Sequence, residues 1–443
     1  MGLLMTANVV STWLTNARTK KDIKRIYKEA TEANYVNRGV LVMPHLNKKQ
    51  LLLTSGDSTD NDIYEYQTKS PTPAIDYIWG QSDKPESIII SGGKADMRVR
   101  TMMPFINKSQ HEGIPVIAIH SGNRDLETLI KGNSVACELI SSGNLYFDAF
   151  RALPVDDIAF LLYETIPDDD VKPCAEALMR SILEVLLRTD GKITFQNIAA
   201  FLSASLMDEL NKLKASGEIT SDEFNSISRD YMAGSSEIDA VRSFLNKLNR
   251  QAENVFGKPT PNICNIKKIL NVKGIISFDT GIGNNELILT LLINQLIHLQ
   301  SAGRYFNILI DGIAISRYSI ICDFLRGRTY AISHNDFVSS LHGGERTADD
   351  LFAEITGDVN TVVLFTHKSG TSCQKWSEHL GKYHKIRIKM NISQTNSFIA
   401  SGNTRGISVD EADEPRVRAE TISTLPESLA CIHNNSGTLF AEI

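Results

Sequence analysis

The chain has 443 residues, 42% of them hydrophobic and 22% charged, with a formal net charge of -6 and a pI of about 6.0. That is enough chain for a sizeable core and more than one globular domain. The acidic balance excludes a whole-chain basic footprint for nucleic acid, although a local basic channel stays open.

Six cysteines, Cys137, Cys174, Cys264, Cys322, Cys373 and Cys431, stand singly with no CxxC pair. Zinc knuckles and redox motifs therefore find no support, and reduced, buried thiols in a cytosolic protein fit best. Thr6, Asn8, Ser11 and Thr12 interrupt the N-terminal apolar run, against a secretory signal. No run of 18 apolar residues marks a membrane span.

In chain order, residues 17 to 35 form a basic amphipathic helix. Arg18, Lys20, Lys21, Lys24, Arg25 and Lys28 surround Ile23, Ile26 and Tyr27. A solvated helix is the plain reading, and contact with DNA or a membrane surface is the alternative. "GVLVMPH" and "QLLLTSG" read as short strands. "GDSTDNDIYEY" lacks calcium-loop spacing and reads as a polar turn.

An α/β rhythm begins at Ser87. "SIII" is a continuous apolar run suited to a strand buried on both faces, and a helix is expected from about Asp96 to Gln110. "IPVIAIH" is a second buried strand, followed by the apolar stretches "NLYFDAF" and "IAFLLYE". After Pro173 the pattern turns helical. Leu178, Ile182, Val185 and Leu186 share one helix face, as do Leu206, Leu210 and Leu213, and Ile238, Val241, Phe244 and Leu245. Strands resume at "KGIISFDT", "YFNILIDG", "RTYAISHN" and "NTVVLFTH", with the all-round apolar helix "LILTLLINQLIHLQ" among them. Crossovers between these strands predict a mainly parallel sheet. The expected organisation is an N-terminal helix and short strands over 1–84, an α/β core over 85–174 and 257–443, and an all-α insert over 175–256.

The segment "SIIISGGKADMRVR" has the outline of a phosphate loop: strand, glycine turn, helix. A working loop follows G-x-x-x-x-G-K-[ST], with N–H groups around the phosphates, a lysine on the outer phosphates and a hydroxyl on Mg²⁺. Here Lys94 directly follows Gly92 and Gly93, and no Ser or Thr follows it. Lys94 reads as an ordinary turn residue. Arg98 and Arg100 read as salt-bridging residues, or as phosphate ligands at a helix N-terminus.

The order of segments resembles the cytoplasmic part of type IV secretion coupling proteins, the TraG/TraD-like branch of the HerA/FtsK superfamily. The resemblance spans residues 85 to 443. It implies a RecA-like P-loop NTPase core with an inserted all-α subdomain. Setting Pro104 against the family's proline puts Ser91 at the loop's first glycine, Asp96 at the last, Met97 at the lysine and Arg98 at the Ser/Thr. "IPVIAIHSGN" resembles the second strand, with His120 where an aspartate is usual. "FNILIDGIAI" resembles the Walker B strand. Asp311 keeps the Mg²⁺-organising acid, while Gly312 replaces the catalytic glutamate. Ser333 and His334 lie where a polar sensor is usual. "PRVRAETISTLPESLACI" resembles the closing basic stretch, helix and final strand. The candidate nucleotide-binding residues are thus Ser91, Gly92, Gly93, Lys94, Asp96, Met97, Arg98, Asp311 and Gly312, in degenerate form. No catalytic residue and no metal ligand is assigned. Asp311 also reads as a strand-end carboxylate satisfied by backbone N–H groups.

Two further stretches carry little. "LHGGE" is similar to an oxyanion-hole turn but lacks a G-x-S-x-G elbow, so His342 reads as a surface-loop histidine. "THKSGTSCQKW" brings His367, Lys368, Ser369 and Cys373 together without a third group to orient a base. Trp376 and Leu380 mark one helix's buried face.

The resemblance implies a noncatalytic, cytoplasmic subunit of a DNA or protein translocation machine, peripheral to the membrane, with no cofactor expected. Its partners would be machine components, a catalytic paralogue, DNA or protein cargo, and other subunits in an oligomer. The rival readings are a divergent ATPase using ATP and Mg²⁺, and a sequence-independent nucleic-acid binder using Lys20 to Lys28.

Overall fold

The computed structural model describes residues 20–42 and 85–443, apart from the short segments 134–135, 141–144, 152, 165–171, 190–192, 203–205, 265, 282–285, 316–318, 343–345, 398–399 and 436. The stretches "QLLLTSG" and "GDSTDNDIYEY" lie outside the described residues.

A single large sheet organises the body. Its strands are β1 (Val40–Val42), β2 (Ile88–Ser91), β3 (Val116–His120), β4 (Cys137–Leu139), β5 (Ile275–Asp279), β6 (Asn307–Asp311), β7 (Tyr330–His334) and β8 (Thr361–Leu364), then β11 (Leu429–Asn434) and β12 (Gly437–Glu442). β9 (Lys382–Ser397) and β10 (Ala400–Pro415) form a separate two-stranded hairpin. The large sheet runs β1-β12-β11-β8-β2-β7-β6-β3-β5-β4. From β8 to β4 every pairing is parallel. β11 alone runs against its neighbours.

The apolar runs explain the interior strands. β2, β3 and β6 are buried throughout, as strands covered by helices on both faces must be. The covering helices come from the crossovers. They include α2 (Ala95–His111), α3 (Arg124–Asn133), α11 (Glu286–Ser301) and α14 (Ala348–Gly357). Leu292, Ile293 and Leu296 of α11 are fully enclosed, as its all-round apolar sequence requires.

Between β4 and β5 the chain is largely helical: α4 (Val155–Glu164), α5 (Lys172–Thr189), α6 (Phe195–Phe201), α7 (Leu206–Ser216), α8 (Ser221–Ala233), α9 (Ile238–Phe256) and α10 (Ile266–Asn271). α5 is central to this group and packs on α4, α6, α7 and α8. Its Leu178, Ile182, Val185 and Leu186 are buried together, and so are Leu206, Leu210 and Leu213 of α7. α8 opens with a capping box in which Thr220 and Glu223 satisfy each other's backbone N–H groups. α9 packs on α6 and reaches α11 and β5, joining these helices to the sheet.

"IAFLLYE" belongs to α4, and the described residues of "NLYFDAF" include an isolated bridge from Tyr146 to Ile263. The closing segment differs from expectation. Its short helix (Ala419–Ser423) and strand β11 are present, but β11 is not the last strand. The chain turns through an Asn- and Gly-containing link and returns as β12, pairing Asn434 with Gly437. Cys264, Cys322, Cys373 and Cys431 are buried free thiols.

The basic helix is α1 (Lys20–Arg38). One face is solvated and carries the exposed pairs Arg25–Glu29 and Lys28–Glu32. The other buries Ile26 and Ala30 and lies along β9. Asn34 there stands in for a neighbouring strand. Its Nδ2 donates to the Ile386 carbonyl at 2.9 Å, and its Oδ1 accepts from the Ile386 N–H at 2.7 Å. Asn34→Ala leaves both groups without that partner at a partly buried edge and is expected to cost about 1–3 kcal/mol. Hydrogen exchange at the Ile386 amide checks this, with protection falling in the variant.

Candidate functional site

The candidate site lies at the C-terminal ends of β2, β3, β6 and β7. β2 sits between β7 and β8, where the sheet order reverses, and such switch points are the usual binding crevices of α/β sheets.

At the end of β2 the Ser91 side chain is fully enclosed. His367 Nδ1 lies 2.7 Å from the Phe365 carbonyl, which can only accept, so Nδ1 carries the proton. Nε2 then accepts from the Ser91 hydroxyl at 2.7 Å, and Ser91 Oγ in turn accepts from Phe337 N–H. Gly92 and Gly93 follow with φ of +87° and +66°. Their N–H groups donate to the carbonyls of His334 and Thr366, both at 3.0 Å. A Cβ on Gly92 would meet His367 and Thr366 at 2.7 Å, and one on Gly93 would meet Phe365 at 2.7 Å. Glycine is therefore needed because the turn is wedged between β7 and the segment after β8.

Lys94 points outward and pairs with Glu427 at 2.8 Å, which raises its pKa; both side chains are well exposed. Asp96 and Arg100 are exposed, and Met97 is half-buried against the core. Arg98 turns inward. Its Nη1 donates to the Gly93 carbonyl at 2.9 Å and its Nε to Ser333 Oγ at 3.2 Å. The Ser333 hydroxyl in turn donates to Asp311 Oδ1 at 2.6 Å. Asn123 Nδ2 donates to Asp311 Oδ2 at 2.6 Å. Arg98 Nε stands 3.9 Å from Asp311, and the two side chains are 9% and 4% exposed. Burial pushes the guanidinium's pKa down, while Asp311 and Asp96 oppose that shift. Gly312 has φ +70°, and its N–H bonds the Ser333 carbonyl at 2.8 Å.

The structure thus draws Ser91, Gly92, Gly93, Arg98, Asp311 and Gly312 into one connected layer and leaves Lys94 and Asp96 outside it. One expectation is corrected. Asp311 is satisfied by side-chain donors, Ser333 brought in by β7 and Asn123 by the turn after β3. Sequence reasoning missed this chain of groups. Its only signal was that Arg98 and Ser333 fall at two positions of the resembled pattern.

His120 is enclosed beside the same layer. Its Nδ1 accepts from Asn123 N–H at 3.1 Å, so Nε2 carries the proton and meets Ser277 Oγ at 3.0 Å. Burial lowers its pKa against the pull of Asp279, Glu127 and Asp311. The nucleophile alternative fails on geometry. Cys373 points its sulfur at the His367 carbonyl, not the ring, and burial pushes the thiol up. Ser369 caps the helix α15 (Gly370–His379), and Trp376 and Leu380 are buried as expected. His342 is exposed, and residues 343–345 lie outside the described residues.

Searches of the sequence give no matching family model and no match among curated proteins. Solved structures do match. The bacterial conjugative coupling protein TrwBdeltaN70 in its unbound form aligns with a TM-score of 0.52 at 12% identity, covering 82% of this chain and 85% of that one. Its sulphate complex gives 0.51 at 13% identity, covering 81% and 86%. TrwB with the non-hydrolysable ATP analogue ADPNP gives 0.50 at 12%, covering 81% and 85%. The chain shares its fold with these coupling-protein structures. The RecA-like α/β architecture expected from the sequence is therefore present, and no helix of the described residues is long and apolar enough to cross a membrane.

Within this coupling-protein fold, His334 and His367 are held neutral by burial, below their ordinary value near 6.5. A lowered folded pKa means that the unfolded chain binds more protons at mildly acid pH. Their contribution to stability is complete above about pH 6.5 and is lost as pH falls through their folded values. Urea unfolding at stepped pH should show this decline, and His367→Gln should flatten it.

Proposed function

We propose that this chain is a noncatalytic, coupling-protein-like subunit of a DNA or protein translocation machine. The fate of the loop's donors carries the reading. A phosphate loop turns its N–H groups onto phosphate oxygens. Here those of Gly92 and Gly93 are spent on the carbonyls of His334 and Thr366. Phosphoryl transfer rests almost entirely on positioning and charge stabilisation. Met97 supplies no charge at the lysine position, Arg98 replaces the metal-binding hydroxyl, and Gly312 replaces the glutamate. A magnesium nucleotide does not fit this set of residues.

On this reading the segments 85–174 and 257–443 form a RecA-like scaffold at the cytoplasmic face of a membrane. The helices of 175–256 offer a surface for cargo or another machine component, and residues 1–84 contribute α1 and the edge strand β1 to the body. A catalytic paralogue would supply turnover within a mixed oligomer. The packing of α1 on β9 favours a structural role for the basic helix over nucleic-acid binding.

Isothermal titration with ATP and Mg²⁺, followed by phosphate release with and without DNA, tests the proposal. The expected result is neither binding heat nor released phosphate. DNA-stimulated turnover that Asp311→Ala abolishes would overturn it.

A further inference from the structure

We infer that Arg98 is the resident cation of the strand-end site, a tethered guanidinium that holds the loop, β6 and β7 together in place of any exchangeable metal or nucleotide. The inference rests on reading the loop as one that holds no nucleotide, and it assigns the space to a group of the chain itself.

The geometry is that of a filled site. Arg98 leaves the first turns of α2 and bends back beneath its own loop to the Gly93 carbonyl. The same guanidinium reaches β7 through Ser333, and Ser333 reaches β6 through Asp311. Asn123 closes the carboxylate from the turn after β3. Four segments thus converge on one carboxylate and one cation, both almost wholly enclosed. Either ion alone would be strongly destabilising at this depth, because its partner's charge and hydrogen bonds offset its desolvation. A guanidinium suits the position better than an ammonium. Its planar fork serves the carbonyl and the hydroxyl at once and keeps its charge at any pH at which the protein is folded. Because it is part of the chain, it cannot diffuse away as a bound metal does.

A site that exchanges ligand passes between filled and empty forms. One filled by Arg98 has a single form, so the loop's conformation is independent of nucleotide and of divalent cations.

A double-mutant cycle on the full chain tests this, read by thermal melting and urea unfolding. Arg98→Ala and Asp311→Asn should each lower the melting temperature by at least about 3 °C. The double variant should lose no more than the worse single one, since the ions are coupled. Methylguanidinium at millimolar concentration should restore part of the loss in Arg98→Ala, and sodium chloride should not. If Arg98→Ala does not fold, Arg98→Gln with Asp311→Asn provides the same cycle. Additive losses without a methylguanidinium response would overturn the inference and leave the proposed function standing. ATP binding that displaces Arg98 in the wild-type chain would overturn both.

Discussion

A carboxylate at the inner end of a central strand has to be met by donors on every side, or its burial is prohibitively unfavourable. Asp311 imposes that constraint here. Its position on β6 is fixed by a strand buried along its whole length. The donors must therefore come to it. Ser333 arrives from the adjacent strand β7 and Asn123 from the turn after β3, while Arg98, from the helix that follows β2, bonds Ser333 and brings its charge to 3.9 Å from the carboxylate. Arg98 also ties the turn between β2 and α2 to this group through the Gly93 carbonyl.

The surrounding polar groups obey the same demand. Ser91 and His367 satisfy one another, and the ring's second nitrogen is met by Phe365. His120 is closed by Ser277 and Asn123. Asp336 accepts from Ser372 and caps the short helix Phe337–Ser340. Together these groups make the C-terminal rim of the sheet a continuous, internally bonded layer. Such a layer is rigid when every member is satisfied.

Much of the fold was legible in the sequence. β2, β3, β6, β7 and β8 announced themselves as continuous apolar runs, since a strand covered on both faces has no polar side to interrupt it. The helices between β4 and β5 showed as three- and four-residue spacing. The hairpin of β9 and β10 was missed. Its signal was the alternation of Ile386, Ile388, Met390 and Ile392 with charged or polar residues, hidden by the absence of a recognisable turn motif at its tip. The site was half legible. Asp311 and Gly312 could be placed on a strand end, and Arg98 on the first turns of a helix. Their union was not, because it depends on β6, β7 and β2 being neighbours, and strand order is not written in any local stretch. The donors to Asp311 were expected from the backbone and come from side chains for the same reason.

The order of the strands also sets a timetable for synthesis. β2 is bonded on both sides by strands that leave the ribosome much later, Ile88 pairing with Ala331 and with Thr361. β1 waits longer still, since its partner β12 lies even further along the sequence, with Val40 matched to Thr438. Pairings this remote in sequence form slowly, and until then the apolar edges of the early strands are open to other chains. The nascent polypeptide therefore has to be sheltered, by a chaperone or by its own helices, until those distant partner strands have emerged.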